Sequence, residues 1–161
     1  MGDWLGYSNG DVYDYSVDNV HDMILEGLRN AEPSQLEVVK DKVTYYNIPC
    51  SFDIETSSFK AKDDKGEKIK CATMYIWQFG FNGSVIFGRT WDEFFEMLGI
   101  LQQALDLSED KHLIIYVHNL GYEFQWLRQW IKWDKVFAIK QRRPVYAIAG
   151  GFEFRCSLLL S

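Results

Sequence analysis

The chain has 161 residues, 47% apolar and 25% charged, enough for one globular domain with a real core. Its net charge of −6 argues against a uniformly basic nucleic-acid binder. The charge is uneven, however: residues 1–60 carry eleven acidic against four basic side chains, while residues 111–146 carry seven basic against two acidic, which is compatible with a local phosphate-binding face. Cys50, Cys71 and Cys156 are widely spaced and odd in number, so they read as buried free thiols rather than a zinc site or disulfide framework. No apolar run reaches the ~18 residues of a membrane span, and the acidic start is no signal peptide. A cytoplasmic protein without a membrane partner is expected.

Residues 1–19 read as an irregular arm ordered by Trp4, Tyr7 and Tyr13. Val20, Met23, Ile24 and Leu28 then fall at helical spacing, which predicts a short helix over 19–30 with Asp18 as its cap. Gly27 is unfavourable inside it. After Pro33 a further turn is expected over 35–42. Residues 1–44 thus form an acidic N-terminal extension, and residues 45–161 the main domain. Ile48–Ile54 reads as a buried strand and Thr56–Gly66 as a polar loop. Cys71–Phe81 and Ser84–Gly88 form a hairpin around Asn82-Gly83. Thr90 caps a helix over 91–105. His112–Val117 is an apolar strand, followed by a helix over 122–133 on which Trp126, Trp130 and Trp133 share one core face. Three short strands end the chain, with turns at 142–144 and at Gly150-Gly151. The order predicts an α/β fold with a mixed sheet flanked by helices.

Two constellations carry chemistry. Asp53 and Glu55 sit at i and i+2 near the end of an apolar strand, so both carboxylates point to one face. Such a pair suits a hard divalent cation, although two unrelated acids at a strand end give the same pattern. The second constellation, His118-Asn119-Leu120-Gly121-Tyr122-Glu123, lies at a strand-to-helix junction, where α/β proteins place their sites. A plain capped helix with packing aromatics explains it equally well when taken alone. Gln141-Arg142-Arg143 at a hairpin tip offers a phosphate contact, or an ordinary exposed turn. His21 and His112 read as structural.

Asp53-Ile54-Glu55-Thr56 resembles the first exonuclease motif of the proofreading DNA polymerases. Asn119-Leu120-Gly121-Tyr122-Glu123 resembles the second, usually Asn-x-x-(Phe/Tyr)-Asp. The string Tyr116-Val117-His118-Asn119-Leu120 is similar to the protein-primed family B polymerases of phages and linear plasmids. The resemblance runs from about Tyr45 to Ser161. It implies a ribonuclease-H-like fold and a 3′→5′ exonuclease in the host cytoplasm acting on single-stranded DNA ends with two Mg²⁺ or Mn²⁺ ions. Asp53, Glu55 and Glu123 match the catalytic metal ligands, and Thr56, His118, Asn119 and Tyr122 match positions that hold the 3′ end.

Two departures qualify the resemblance. Position 123 is Glu where the family usually has Asp. The family's third motif, Tyr-x-x-x-Asp on a helix, is not found after Cys156, and neither Asp134 nor Glu153 has the context to replace it. The apolar ending Leu158-Leu159-Leu160-Ser161 leads to the expectation of a domain cut short there, with weak metal binding and poor hydrolysis. The remainder of a polymerase or a complementing chain would then be a partner. The alternative expectation is a non-catalytic module, derived from such a domain, that binds DNA, a polymerase or a host factor.

Overall fold

The computed structural model describes residues 10–140 and 143–160. Strand β1 (Val12–Asp14) leads into helix α1 (Val17–Arg29), the helical turn α2 (Pro33–Leu36) and two small strands, β2 (Val38–Lys40) and β3 (Val43–Tyr46). A long hairpin follows, β4 (Cys50–Lys62) and β5 (Lys68–Phe81), then β6 (Ser84–Gly88) and helix α3 (Trp91–Ala104). The remaining elements are β7 (Lys111–Val117), helix α4 (Leu120–Leu127), β8 (Lys135–Lys140), β9 (Arg143–Ala149), β10 (Phe152–Cys156) and the turn α5 (Ser157–Leu160). The described strands join one mixed sheet in the order β1-β6-β5-β4-β7-β10-β9-β8, with β3 paired to β7 and β2 to β3. The protein is therefore α/β, with helices packed on a mixed parallel and antiparallel sheet.

The helices reach one apolar face of that sheet. Phe52 of β4 stacks on Phe94 of α3, with ring centroids 4.5 Å apart. Trp77 of β5 meets the same Phe94 edge-on and donates its indole N–H to the Thr90 carbonyl at 2.8 Å. Phe124 of α4 packs on Trp133, which in turn meets Phe154 of β10. Thr90 caps α3 as its sequence predicts, in a reciprocal box with Glu93. The Asn82-Gly83 turn has positive φ at both residues, 47° and 93°, the geometry of a tight hairpin.

Residues 10–44 are built into the same sheet. β1 pairs in parallel with β6, and α1 lies against α3 and β6. The cap of α1 is Ser16, whose hydroxyl accepts from the Asn19 N–H, and not Asp18, which sits in the first turn where its charge favours the helix dipole. Trp4 and Tyr7, expected to order the N-terminal arm, lie outside the described residues, as do Gln141 and Arg142 of the basic hairpin tip.

The strand register decides where the site can be. β3 runs beside the first part of β7, pairing Thr44 with Lys111 and Tyr46 with Leu113. β4 takes over the same edge, pairing Ser51 with Tyr116 and Phe52 with Val117. β7 ends there, and β4 continues. Asp53 is thus the first residue of β4 beyond the carboxyl end of β7.

Three expectations are corrected. The polar segment 56–66 is not a loop: β4 runs to Lys62 and β5 starts at Lys68. Beyond Ile54 and Trp77 neither strand has a third neighbour, so side chains such as Ser57, Ser58, Lys60 and Lys70 are exposed and no apolar alternation marks the ribbon. Its tip is closed by Asp63, whose carboxylate accepts from the Lys65 and Glu67 N–H groups at 2.9 and 2.8 Å. The second correction is α4, which spans Leu120–Leu127 and not 122–133. The three tryptophans do not share a face. Trp126 stacks on Trp91, Trp130 is 61% exposed, and Trp133 lies past the helix between Phe124 and Phe154. Seating that indole against β10 outweighs continuation of a helix that tertiary contacts alone would sustain. Third, Cys50 and Cys156 are buried as expected, whereas Cys71 is half-buried; all three are free.

Gly27, unfavourable by propensity, has a packing reason. A Cβ there would come within 2.4 Å of the Phe81 ring, so the glycine lets α1 approach β5. On propensity alone Gly27→Ala would stabilise the helix by about 1 kcal/mol. Steric overlap with a buried ring predicts instead a loss of about 1–3 kcal/mol, read from the urea midpoint at unchanged m value.

Candidate active site at the end of β7

The chain turns at His118 and Asn119 from β7 into α4. Asn119 occupies the N-cap position, yet its side chain makes no capping bond, and both residues are exposed. That leaves the Asn119 amide available, and the simple capping role does not apply. The turn is anchored from the other side. The His118 carbonyl accepts from the Leu158 N–H at 3.2 Å and faces the Cys156 thiol at 3.7 Å, while the Ser157 hydroxyl donates to the Val117 carbonyl at 3.3 Å. The start of α5 is therefore fixed beside the same sheet end.

Leu120, Glu123 and Leu127 form the buried stripe of α4. This stripe carries a carboxyl group into the interior, and Glu123 is only 4% exposed. Its Oε2 is enclosed without a protein hydrogen-bond partner. Burial is the largest influence on this carboxyl and pushes its pKa up to about 8, against a smaller opposing pull from its own backbone N–H. The Asp53 carboxylate beside it raises it further, by charge and by hydrogen bonding to its proton. Two acids 70 residues apart in the chain are brought together because β4 overruns β7 just where α4 begins.

Glu55 lies on the same strand face as Asp53, as its spacing predicts, and its Oε2 accepts from the Tyr75 hydroxyl at 2.9 Å. Thr56 and Tyr122 also meet, their hydroxyls 2.5 Å apart, which ties β4 to the first turn of α4. Four of the residues singled out by the sequence, Asp53, Glu123, Thr56 and Tyr122, are thus joined in two contacts between the same two elements. His118 and Asn119 border them at the turn.

The two acids considered as substitutes are placed elsewhere. Glu153 is buried between His112, in hydrogen-bonding contact at 3.1 Å, and Arg155, its ion-pair partner; the second nitrogen of His112 faces the Glu109 carbonyl at 2.8 Å. His112 is structural, as expected. Asp134 accepts from the Gly150 N–H at 3.1 Å and holds the β9–β10 turn.

Two residues of the region were not legible in the sequence. Tyr75 reaches Glu55 only because of an irregularity in the ladder. Gln78, the cross-strand partner of Asp53, is 3% exposed with its Oε1 unpartnered. A glutamine inside the run Tyr-Ile-Trp-Gln-Phe was the one available signal, since an amide is expensive to bury without partners.

The two acids at this sheet end, Asp53 and Glu123, offer oxygen donors, which suit Mg²⁺ or Mn²⁺ rather than a soft metal. The unpartnered Glu123 oxygen beside Asp53 fits a hard cation, which would take the place of the proton on Glu123. Among the described residues no group of three or more His, Cys, Asp and Glu side chains converges as a metal cage, so Asp53 and Glu123 provide a partial ligand set. No protein-family model matches the chain, and no curated protein matches its sequence. Among the described residues no helix is long and apolar enough to cross a membrane.

The raised carboxyl has a consequence for stability. Glu123 holds its proton in the folded state well above the ordinary carboxylate range, so the folded chain binds one proton more than the unfolded chain between about pH 4.5 and about 8. Its stabilising contribution is complete below the unfolded pKa and is lost as pH rises through the folded one. Unfolding free energy should fall across that window by at most about 1.4 kcal/mol per pH unit from this group. Glu123→Gln should remove that part of the slope in urea titrations at pH 5, 6, 7 and 8.

Proposed function

We propose that this chain is the 3′→5′ exonuclease portion of a phage-type family B DNA polymerase, with a ribonuclease-H-like fold, acting on single-stranded DNA ends. The observation that supports this reading best is the buried Glu123 carboxyl held against Asp53 at the carboxyl end of β7. Structural acids rarely stay buried without a basic partner or full hydrogen bonding, and strongly perturbed carboxyls cluster at functional sites. The motif resemblance points to the same two residues independently.

On this reading Asp53, Glu123 and Glu55 hold Mg²⁺ or Mn²⁺. The bound cations would supply an activated water and stabilise the leaving 3′-oxygen. Thr56, His118, Asn119 and Tyr122 hold the terminal nucleotides, with the 40%-exposed Tyr122 ring available for base stacking. Among the described residues no third acid converges on Asp53 and Glu123, so slow turnover by this chain is expected. A second reading, a non-catalytic DNA-binding module, is favoured by the partial ligand set.

A 5′-labelled single-stranded oligonucleotide incubated with Mn²⁺ separates the two. The expected result is slow, Mn²⁺-dependent shortening from the 3′ end, abolished in the Asp53→Ala/Glu55→Ala variant. Binding without shortening, equal in both proteins, would favour the module. Neither binding nor shortening would overturn both readings.

A further inference from the structure

Beyond Thr56 the β4–β5 ladder pairs Lys60 with Lys70 and Lys62 with Lys68. Residues directly opposite in an antiparallel ladder, and those two apart on one strand, share a face. One side of the ribbon therefore carries all four lysines. They are exposed, and among the described residues none of them is in an ion pair. Like charges directly opposite each other destabilise a ladder. Lysine on an exposed edge discourages unwanted strand pairing, but lysine–glutamate pairs would do so without repulsion. The acids of the ribbon, Asp63, Asp64 and Glu67, are instead kept at its tip, where the Asp63 carboxylate is engaged by the turn. The doubled lysine pairs suit a polyanion, which would neutralise them. Their face also has a direction. Thr56 and Ser58 precede Lys60 and Lys62 at two-residue steps along β4, so the lysines continue the side that carries Thr56 and begin about 14 Å beyond it. Thr56 itself meets Tyr122 at the rim of the candidate site.

We propose that the lysine face of the β4–β5 ribbon is a phosphate-binding arm that holds single-stranded DNA running away from Thr56 and Tyr122. The choice of DNA rests on the exonuclease reading, but the arm itself needs neither a metal nor hydrolysis. Lysines are compact charges on flexible stems, suited to backbone phosphates and not to the reading of base edges. Binding through Lys60, Lys62, Lys68 and Lys70 is therefore insensitive to sequence and steeply dependent on salt. It also relieves the repulsion within the ribbon. A local arm of this kind gives DNA a basic surface on a chain whose net charge is −6.

The test is fluorescence anisotropy of a labelled single-stranded oligonucleotide, in EDTA and over a range of salt concentrations. The full chain is compared with Lys60→Gln/Lys62→Gln/Lys68→Gln/Lys70→Gln and with a control, Lys40→Gln/Lys42→Gln, which removes exposed charge from the β2–β3 hairpin. Each phosphate contact adds about 0.7 to the slope of log affinity against log salt. The fourfold variant should therefore bind more weakly at low salt, with a slope shallower by about 2.8, while the control keeps the wild-type slope. The urea midpoint of the fourfold variant should equal or exceed that of the wild type, since two like-charge pairs are removed. Wild-type slope and affinity in the fourfold variant, or an equal loss per lysine in the control, would overturn the arm and leave the exonuclease reading in place. The opposite face of the ribbon shows Phe59 and Ile69, 52% and 43% exposed, so vesicles containing phosphatidylserine are run in parallel. Lysine-dependent binding to vesicles without binding to the oligonucleotide would overturn the assignment to DNA. Binding to neither would overturn the arm and the DNA reading together.

Discussion

The contact between Asp53 and Glu123 depends on one constraint of register: β4 pairs with only the last two residues of β7 and then runs past it. Because β3 occupies the earlier part of the same β7 edge, β4 begins its pairing late. Its acidic segment therefore emerges where β7 gives way to α4. A slip of one residue would turn Asp53 to the face now occupied by Phe52 and Ile54. The apolar stack of Phe52 on Phe94 and the burial of Ile54 oppose that slip, so the aromatic core beneath the sheet also fixes the aim of the acids above its edge.

The same arrangement explains how an acid stays buried in an otherwise apolar helix stripe. Leu120 and Leu127 flank Glu123 on α4 and are fully enclosed, so the helix cannot rotate the carboxyl into water without exposing both leucines. The cost is met by retaining the proton and by the neighbouring Asp53. Such a pair is stable when protonated or cation-bound and repulsive when both groups are charged. The Thr56–Tyr122 contact joins the same strand to the same helix one step further out and holds them together at the rim.

Much of this was legible before the fold was known. The apolar strand over 112–117, the Asn82-Gly83 turn and the Thr90 cap follow from local rules, since each depends on residues a few positions apart. The i, i+2 placement of Asp53 and Glu55 and the junction position of Glu123 were equally local. What could not be read was non-local. Past Met74 the two-stranded ribbon beyond Ile54 is largely exposed on both faces and so leaves no alternation to detect. The end of α4 is set by where Trp133 finds Phe154. The roles of Tyr75 and Gln78 arise from pairing across β4 and β5, with a bulge that no single-strand pattern announces. Sequence also gave no hint that Gly27 is required by the Phe81 ring.

The central claim is that the Asp53–Glu123 pair is a cation site and not merely a proton-sharing contact. Diffraction from crystals soaked in Mn²⁺ near neutral pH, collected at a wavelength where manganese scatters anomalously, addresses it directly. The account predicts an anomalous peak within ligand distance, ~2.0–2.6 Å, of carboxylate oxygens from both Asp53 and Glu123. Manganese density elsewhere, with no peak at the two carboxyl groups, would contradict it.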